Sequence, residues 1–163
     1  MLQDAGTVVL NAEFEKIINK FPEMMRTLVS SPPISKGSFH NVPSKGIYVF
    51  YDEDNKPIYV GRSDRMRSRL REHSQRSSTH TSATFAFNMA KDIAKDAGLD
   101  IFMPRKDLEK IPAFKKIYDE NKERVSRMKI RTIEFQTPSN RLCLRCMPTS
   151  NSIQKMSLKI IRM

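Results

Sequence analysis

From Phe14 through Ile17, Ile18, Phe21 and Met25 to Leu28, apolar residues recur at spacings of three and four, which predicts a helix over 11–31 with one buried face. Pro22 has no backbone N–H and is expected to end or kink that helix. The stretch that follows, SSPPISKGSFHNVPSKG, is rich in Ser, Pro and Gly and reads as an ordered-to-loose connector. Beyond it the pattern changes. The β-branched and aromatic runs GIYVFY and PIYVG, separated by the polar DEDNK, predict a β-hairpin over 46–61.

Helical spacing then returns. Ser63 or Asp64 is placed to cap a helix reaching Ser74, with Met66, Leu70 and His73 on one stripe. A second helix is expected over 83–97, preceded by Ser82 and stopped by Gly98, with Phe85, Met89 and Ile93 on its apolar face. A third surrounds Pro112 and has Leu108, Ile111, Phe114, Ile117 and Tyr118 as its apolar members, and residues 127–135 alternate as a strand does. Hairpin, helices and a further strand in this order describe a small α/β sandwich, a short antiparallel sheet covered by helices.

A chain of 163 residues is expected to form one domain. Hydrophobic residues at 39% and charged residues at 29% are ordinary for a globular domain and argue against disorder. The apolar runs are too short to span a membrane, and the start MLQDAGTVVLNAEF has neither the basic region nor the cleavage site of a secretory signal, so a cytoplasmic location is expected. Lys and Arg outnumber Asp and Glu by 29 to 18, a net charge of +11. Such an excess favours polyanions through long-range attraction and counterion release, which makes nucleic acid the expected partner. No small-molecule cofactor is expected.

The chemistry concentrates in the hairpin and the helix after it. Gly46-Ile47-Tyr48 lies on the first strand and Tyr59-Val60-Gly61 on the second; Arg69 follows Tyr59 by ten residues and His73 follows Arg69 by four. In this order and spacing the residues resemble the signature of the GIY-YIG nuclease family. The resemblance covers 46–73 closely, thins toward residue 141, and leaves 1–43 outside as a helical extension and linker. Side chains on one strand face repeat every second residue, so the two tyrosines share a face if Tyr59 pairs with Phe50. Arg69 and His73, at i and i+4, project from one side of their helix. Two phenols, a guanidinium and an imidazole on one pocket suit phosphodiester hydrolysis, in which water must lose a proton and the phosphorus gains negative charge.

The resemblance implies a DNA endonuclease in which one tyrosine or His73 helps deprotonate water, the other tyrosine orients it, and Arg69 stabilises the transition state. Arg62, Arg65, Arg67 and Arg76, with Arg71, surround Arg69 and read as a phosphate track. Against this stand plainer readings: tyrosines packed in a sheet, His73 as a cation at a helix C-terminus, and an arginine run that is simply solvated. His40 and His80 lie in polar stretches and are assigned no role.

The family also carries a glutamate on a helix after the last strand, which holds Mg²⁺ or Mn²⁺. Residues 136–163 contain no Asp or Glu, so that ligand is not found. Cys143 and Cys146 form half of a zinc site at most. One reading of 142–163 is a frameshift: regrouped codons over 142–148 permit Leu-Leu-Glu-Met-Tyr-Ala, restoring a glutamate. Two alternatives remain: a DNA-binding module of the same fold without turnover, or an RNA-associated protein using its tyrosines as stacking platforms.

Overall fold

The β-branched and aromatic runs form two antiparallel strands, β1 (Gly46–Tyr51) and β2 (Pro57–Ser63). The computed structural model describes residues 12–134, with side chains from residue 19 onward. A third strand, β3 (Lys129–Glu134), pairs antiparallel with the other edge of β1, giving the order β2-β1-β3 among the described residues. The hairpin turn is held by Asp52, whose Oδ1 accepts the Asp54 and Lys56 N–H groups at 3.1 and 2.8 Å.

Helices enclose β1 on both faces. On the back, α1 (Ala12–Ser30) sets Leu28 against Ile47 and Val49, with Met25, Tyr51, Val60 and Ile133 around them. On the front, α2 (Met66–Ser74), α3 (Thr84–Asp96), α4 (Arg105–Leu108) and α5 (Pro112–Arg127) close over Tyr48, Phe50 and Ile130. The expected α/β sandwich with a short antiparallel sheet is therefore the observed architecture. No described helix is long and apolar enough to cross a membrane.

Four local expectations are corrected. Helix α1 runs past Pro22 rather than ending there: proline forfeits one intrahelical bond, while Met25 and Leu28 beyond it are held by the sheet. The connector is not loose, since Ile34 and Ile130 exchange backbone hydrogen bonds of 2.7 and 2.8 Å and Phe39 and Val42 are buried in the front core. Helix α3 buries Ala86, Ala90 and Ala94 together with Phe85 and Phe87, leaving Ile93 exposed and Met89 half-buried. Alanines four apart let α3 lie close to α5, a face that a search for large apolar residues passes over. Finally, the helix expected around Pro112 is two helices, because Pro112 starts α5 from a first-turn position that lacks an N–H partner anyway. Gly98 does stop α3: at φ +76° it donates to Lys95 O while Leu99 N–H reaches Ala94 O, a Schellman motif.

Because Leu28 is 2% exposed at the centre of the back layer, Leu28→Ala should lower the unfolding free energy by about 2–4 kcal/mol, read from urea denaturation. An effect below about 0.5 kcal/mol, the scale of ordinary surface substitutions, would show that α1 does not stabilise the sheet.

Candidate active site

The site begins with a cross-strand pair. Tyr48 on β1 faces Gly61 on β2, and Phe50 faces Tyr59, so strand parity puts both tyrosines on the front face. Gly61 is required at this register: a Cβ there would overlap the Tyr48 ring. Gly46 answers to a different constraint, with φ at +156° and the Ile133 carbonyl where its Cβ would be. Both triplet glycines thus make room, one for a side chain and one for the neighbouring strand.

Helix α2 crosses this face. It starts at Met66, whose N–H donates to Ser44 O at 2.9 Å; Ser63 Oγ accepts the Arg65 N–H instead of serving as the cap. Met66, Leu70 and His73 form the expected buried stripe. The His73 ring lies 5.7 Å from Tyr48, 5.5 Å from Phe50 and 5.5 Å from Tyr59 between ring centroids. Its Nε2 is 3.0 Å from Tyr48 Oη.

Burial decides the protonation of this pair. His73 is fully enclosed, and burial, reinforced by the Arg69 charge, pushes its imidazole down to about 3. The reading of His73 as a helix-terminal cation is therefore corrected, because water that would solvate the charge is excluded. Nδ1 is buried and has no hydrogen-bond partner among the described residues. An N–H there would be unsatisfied, so the hydrogen-bond network assigns the proton to Nε2, which donates it to Tyr48 Oη. Burial likewise raises the Tyr48 phenol, with Tyr59 pushing the same way and Arg69 opposing. Tyr48 is neutral, and its own proton turns away from His73.

Arg69 and Tyr59 form the reachable edge of the site. The Arg69 side chain is 20% exposed. Its Nη1 donates to Glu72 Oε2 at 2.9 Å and to Ser82 O at 2.7 Å, and Nη2 donates to Thr84 Oγ1 at 2.9 Å. Tyr59 is half-buried and stacked on Phe85 at 4.3 Å. Tyr48 is enclosed and so is no base-stacking platform, while Tyr59 is half-buried with one face stacked on Phe85.

The remaining arginines diverge. Arg67 donates to the carbonyls of Phe39 and His40, and Arg76 pairs with Glu123 on α5, so both tie elements of the fold together. Arg62 pairs with Asp64 at 2.8 Å. Arg65 is 72% exposed and only loosely paired, 3.6 Å from Glu72, whereas Arg76, although no less exposed, is held by Glu123. Sequence reading missed the roles of Glu72, Ser82, Thr84 and Phe85 at the site. Glu72 was legible at i+3 from Arg69; the other three lie across a loop, where spacing carries no signal.

Two outcomes test this geometry. Unfolded histidine takes up a proton below about pH 6.5 while buried His73 resists it down to about 3, so stability falls as pH drops through that window. His73→Gln should remove about 2 kcal/mol of the stability lost between pH 6.5 and 5, measured by urea denaturation at each pH; parallel curves would mean that His73 takes up a proton as readily folded as unfolded. Gly61→Ala should cost about 1–3 kcal/mol by forcing the Tyr48 ring aside and should shift the Tyr48 and His73 ring resonances; an unperturbed spectrum would refute the close approach.

Comparison with known proteins finds a likeness over the same stretch of the chain. Residues 44–96 match the family described as UvrC-like GIY-YIG domain. Among curated proteins, the UvrABC system protein C of Prochlorococcus marinus (strain MIT 9312) is 36% identical over 62 residues, which is 37% of this chain. The match spans 10% of that relative's length. No solved structure matches the chain. The segment that folds into the hairpin, α2 and α3 is thus similar in sequence to a UvrC-like GIY-YIG domain, and it holds the paired triplets, Arg69 and His73 on one face.

Proposed function

We propose that this chain acts on DNA phosphodiesters as a GIY-YIG-type endonuclease domain. The observation that supports it best is the joint placement of Tyr48, Tyr59, His73 and Arg69 on one face of the hairpin, with Arg69 and Tyr59 at the edge that solvent reaches. Arg69 is suited to bind a phosphate oxygen and to stabilise charge added at phosphorus. Tyr59 is the phenol placed to orient the attacking water. Tyr48, fixed from behind by His73, presents a neutral O–H as a hydrogen-bond donor. His73 itself is too enclosed to take a proton from water.

The described residues do not fit a divalent metal. The carboxylate bonded to Arg69 is Glu72, and its two oxygens already face Arg69 and Arg65. Among the described residues no group of three His, Cys, Asp or Glu side chains could hold a metal ion. Mg²⁺ and Mn²⁺ favour carboxylate and water oxygens, whereas this face offers phenols and a guanidinium. No step above is routed through a metal. The family's glutamate position, Cys143, Cys146 and the frameshift reading fall at 135–163, outside the described residues. The lack of any Asp or Glu from 136 to 163 favours a second reading, a DNA-binding domain of the same fold without turnover.

Plasmid nicking and duplex binding separate the two. The chain should bind duplex DNA with salt-dependent affinity, and nick it slowly whether or not Mg²⁺ or Mn²⁺ is added. Joining the shifted-frame tail, with its glutamate, should raise metal-dependent nicking by orders of magnitude at nearly constant affinity, the return expected when several kcal/mol of charge stabilisation is regained. Nicking that stays at background with that tail supports the binding domain, and absence of salt-dependent DNA binding overturns both readings.

The arginines should differ in kind. Arg65→Ala should weaken DNA binding and reduce the slope of log affinity against log salt by about one unit without slowing cleavage of bound DNA, whereas Arg69→Ala should lower the cleavage rate of the active form by far more than it weakens binding. Equal effects on rate and affinity would reduce both to a generic basic surface.

A further inference from the structure

The guanidinium of Arg69 does not hang free in its pocket. Glu72 holds it from its own helix, and two groups hold it from another part of the chain: the Ser82 carbonyl at 2.7 Å and Thr84 Oγ1 at 2.9 Å. Three N–H donors are so engaged. A guanidinium has five, and the remaining edge faces the Tyr48 hydroxyl, so a ligand there meets at most two N–H groups beside that phenol. An arginine side chain has many rotamers, and holding it by three bonds in the free protein removes an ordering cost that phosphate binding would otherwise carry.

The groups holding it are themselves fixed. Thr84 opens α3, and its neighbour Phe85 stacks on Tyr59 at 4.3 Å, so adjacent residues of one helical turn hold the guanidinium and the reachable phenol. The loop 75–83 leading there is fastened from α5 and from Glu109 just after α4. Lys122 Nζ donates to Arg76 O at 2.7 Å, Tyr118 Oη donates to Ser78 O at 3.4 Å, and His80 bonds Glu109. These contacts fix where the chain re-enters α3, and hence where Ser82 O and Thr84 Oγ1 stand.

We propose that Thr84 is a positioning residue for Arg69: with the Ser82 carbonyl it aims the guanidinium so that its remaining N–H groups meet a DNA phosphate beside Tyr59. This rests on the reading of Arg69 as the phosphate-binding group. Thr84→Val keeps the shape of the side chain and removes the acceptor; Thr84→Ser keeps the acceptor.

The test uses the full chain and a short fluorescein-labelled DNA duplex. In the native protein the Arg69 Nη–H resonances should be separate because rotation about Cζ–Nη is hindered. In Thr84→Val they should merge, and in Thr84→Ser they should stay separate. Thr84→Val should weaken duplex binding about fivefold when Arg69 is present and less than about twofold in an Arg69→Gln background, with Thr84→Ser near native. Unchanged Arg69 resonances in Thr84→Val, or the same loss of affinity in both backgrounds, would overturn the proposal. If Arg69→Gln binds DNA like the native chain, the phosphate reading fails, and the resonances still decide separately whether Thr84 orients Arg69.

Discussion

The site depends on one close approach, the Tyr48 ring lying across Gly61 on the adjacent strand. Any side chain at residue 61 would occupy the volume of that ring, so the register of β1 against β2 and the position of the phenol are a single constraint. Once Tyr48 lies there, its hydroxyl reaches His73 on α2, and Phe50 and Tyr59 close around the imidazole. The aromatic packing that stabilises the front core is also the wall of the site. Moving one group disturbs the packing of the others, which is why a densely packed interior can hold reactive groups in fixed relation.

Charge is handled by separation of environments. His73 lies where water cannot reach and is neutral for that reason. Arg69, a few residues away on the same helix, reaches the rim, where Glu72 offsets part of its charge and a carbonyl and a hydroxyl accept its other protons. A guanidinium keeps its proton under such conditions and an imidazole does not. The same helix can therefore supply a permanent cation and a neutral hydrogen-bond donor from positions four residues apart.

The hairpin alone would be too small to fix these groups. Strand β3 pairs with the free edge of β1 and α1 covers the back face, so β1 is buried on both sides. Two bare strands are marginal in water, and a third strand with helices on both faces supplies the burial that holds the register. Residues 31–43 belong to this scaffold through Ile34, Phe39 and Val42, although the likeness to the UvrC-type family begins only at residue 44.

Alternation along GIYVFY and PIYVG determined the hairpin by itself, and with a Phe50–Tyr59 pair it determined that both tyrosines share a face. Helical spacing determined that Met66, Leu70 and His73 turn inward, and the net charge determined the kind of partner to expect. These are local or summed properties, readable from neighbours along the chain. Tertiary structure decided the rest: that α3 faces the core with its alanines, that Arg67 and Arg76 bond to distant elements while Arg65 is only loosely paired, that His73 is neutral, and that Thr84 and Ser82 hold Arg69. Each of these depends on groups distant in sequence meeting across a loop or between layers, and on the exclusion of water that follows. Spacing along a chain records neither.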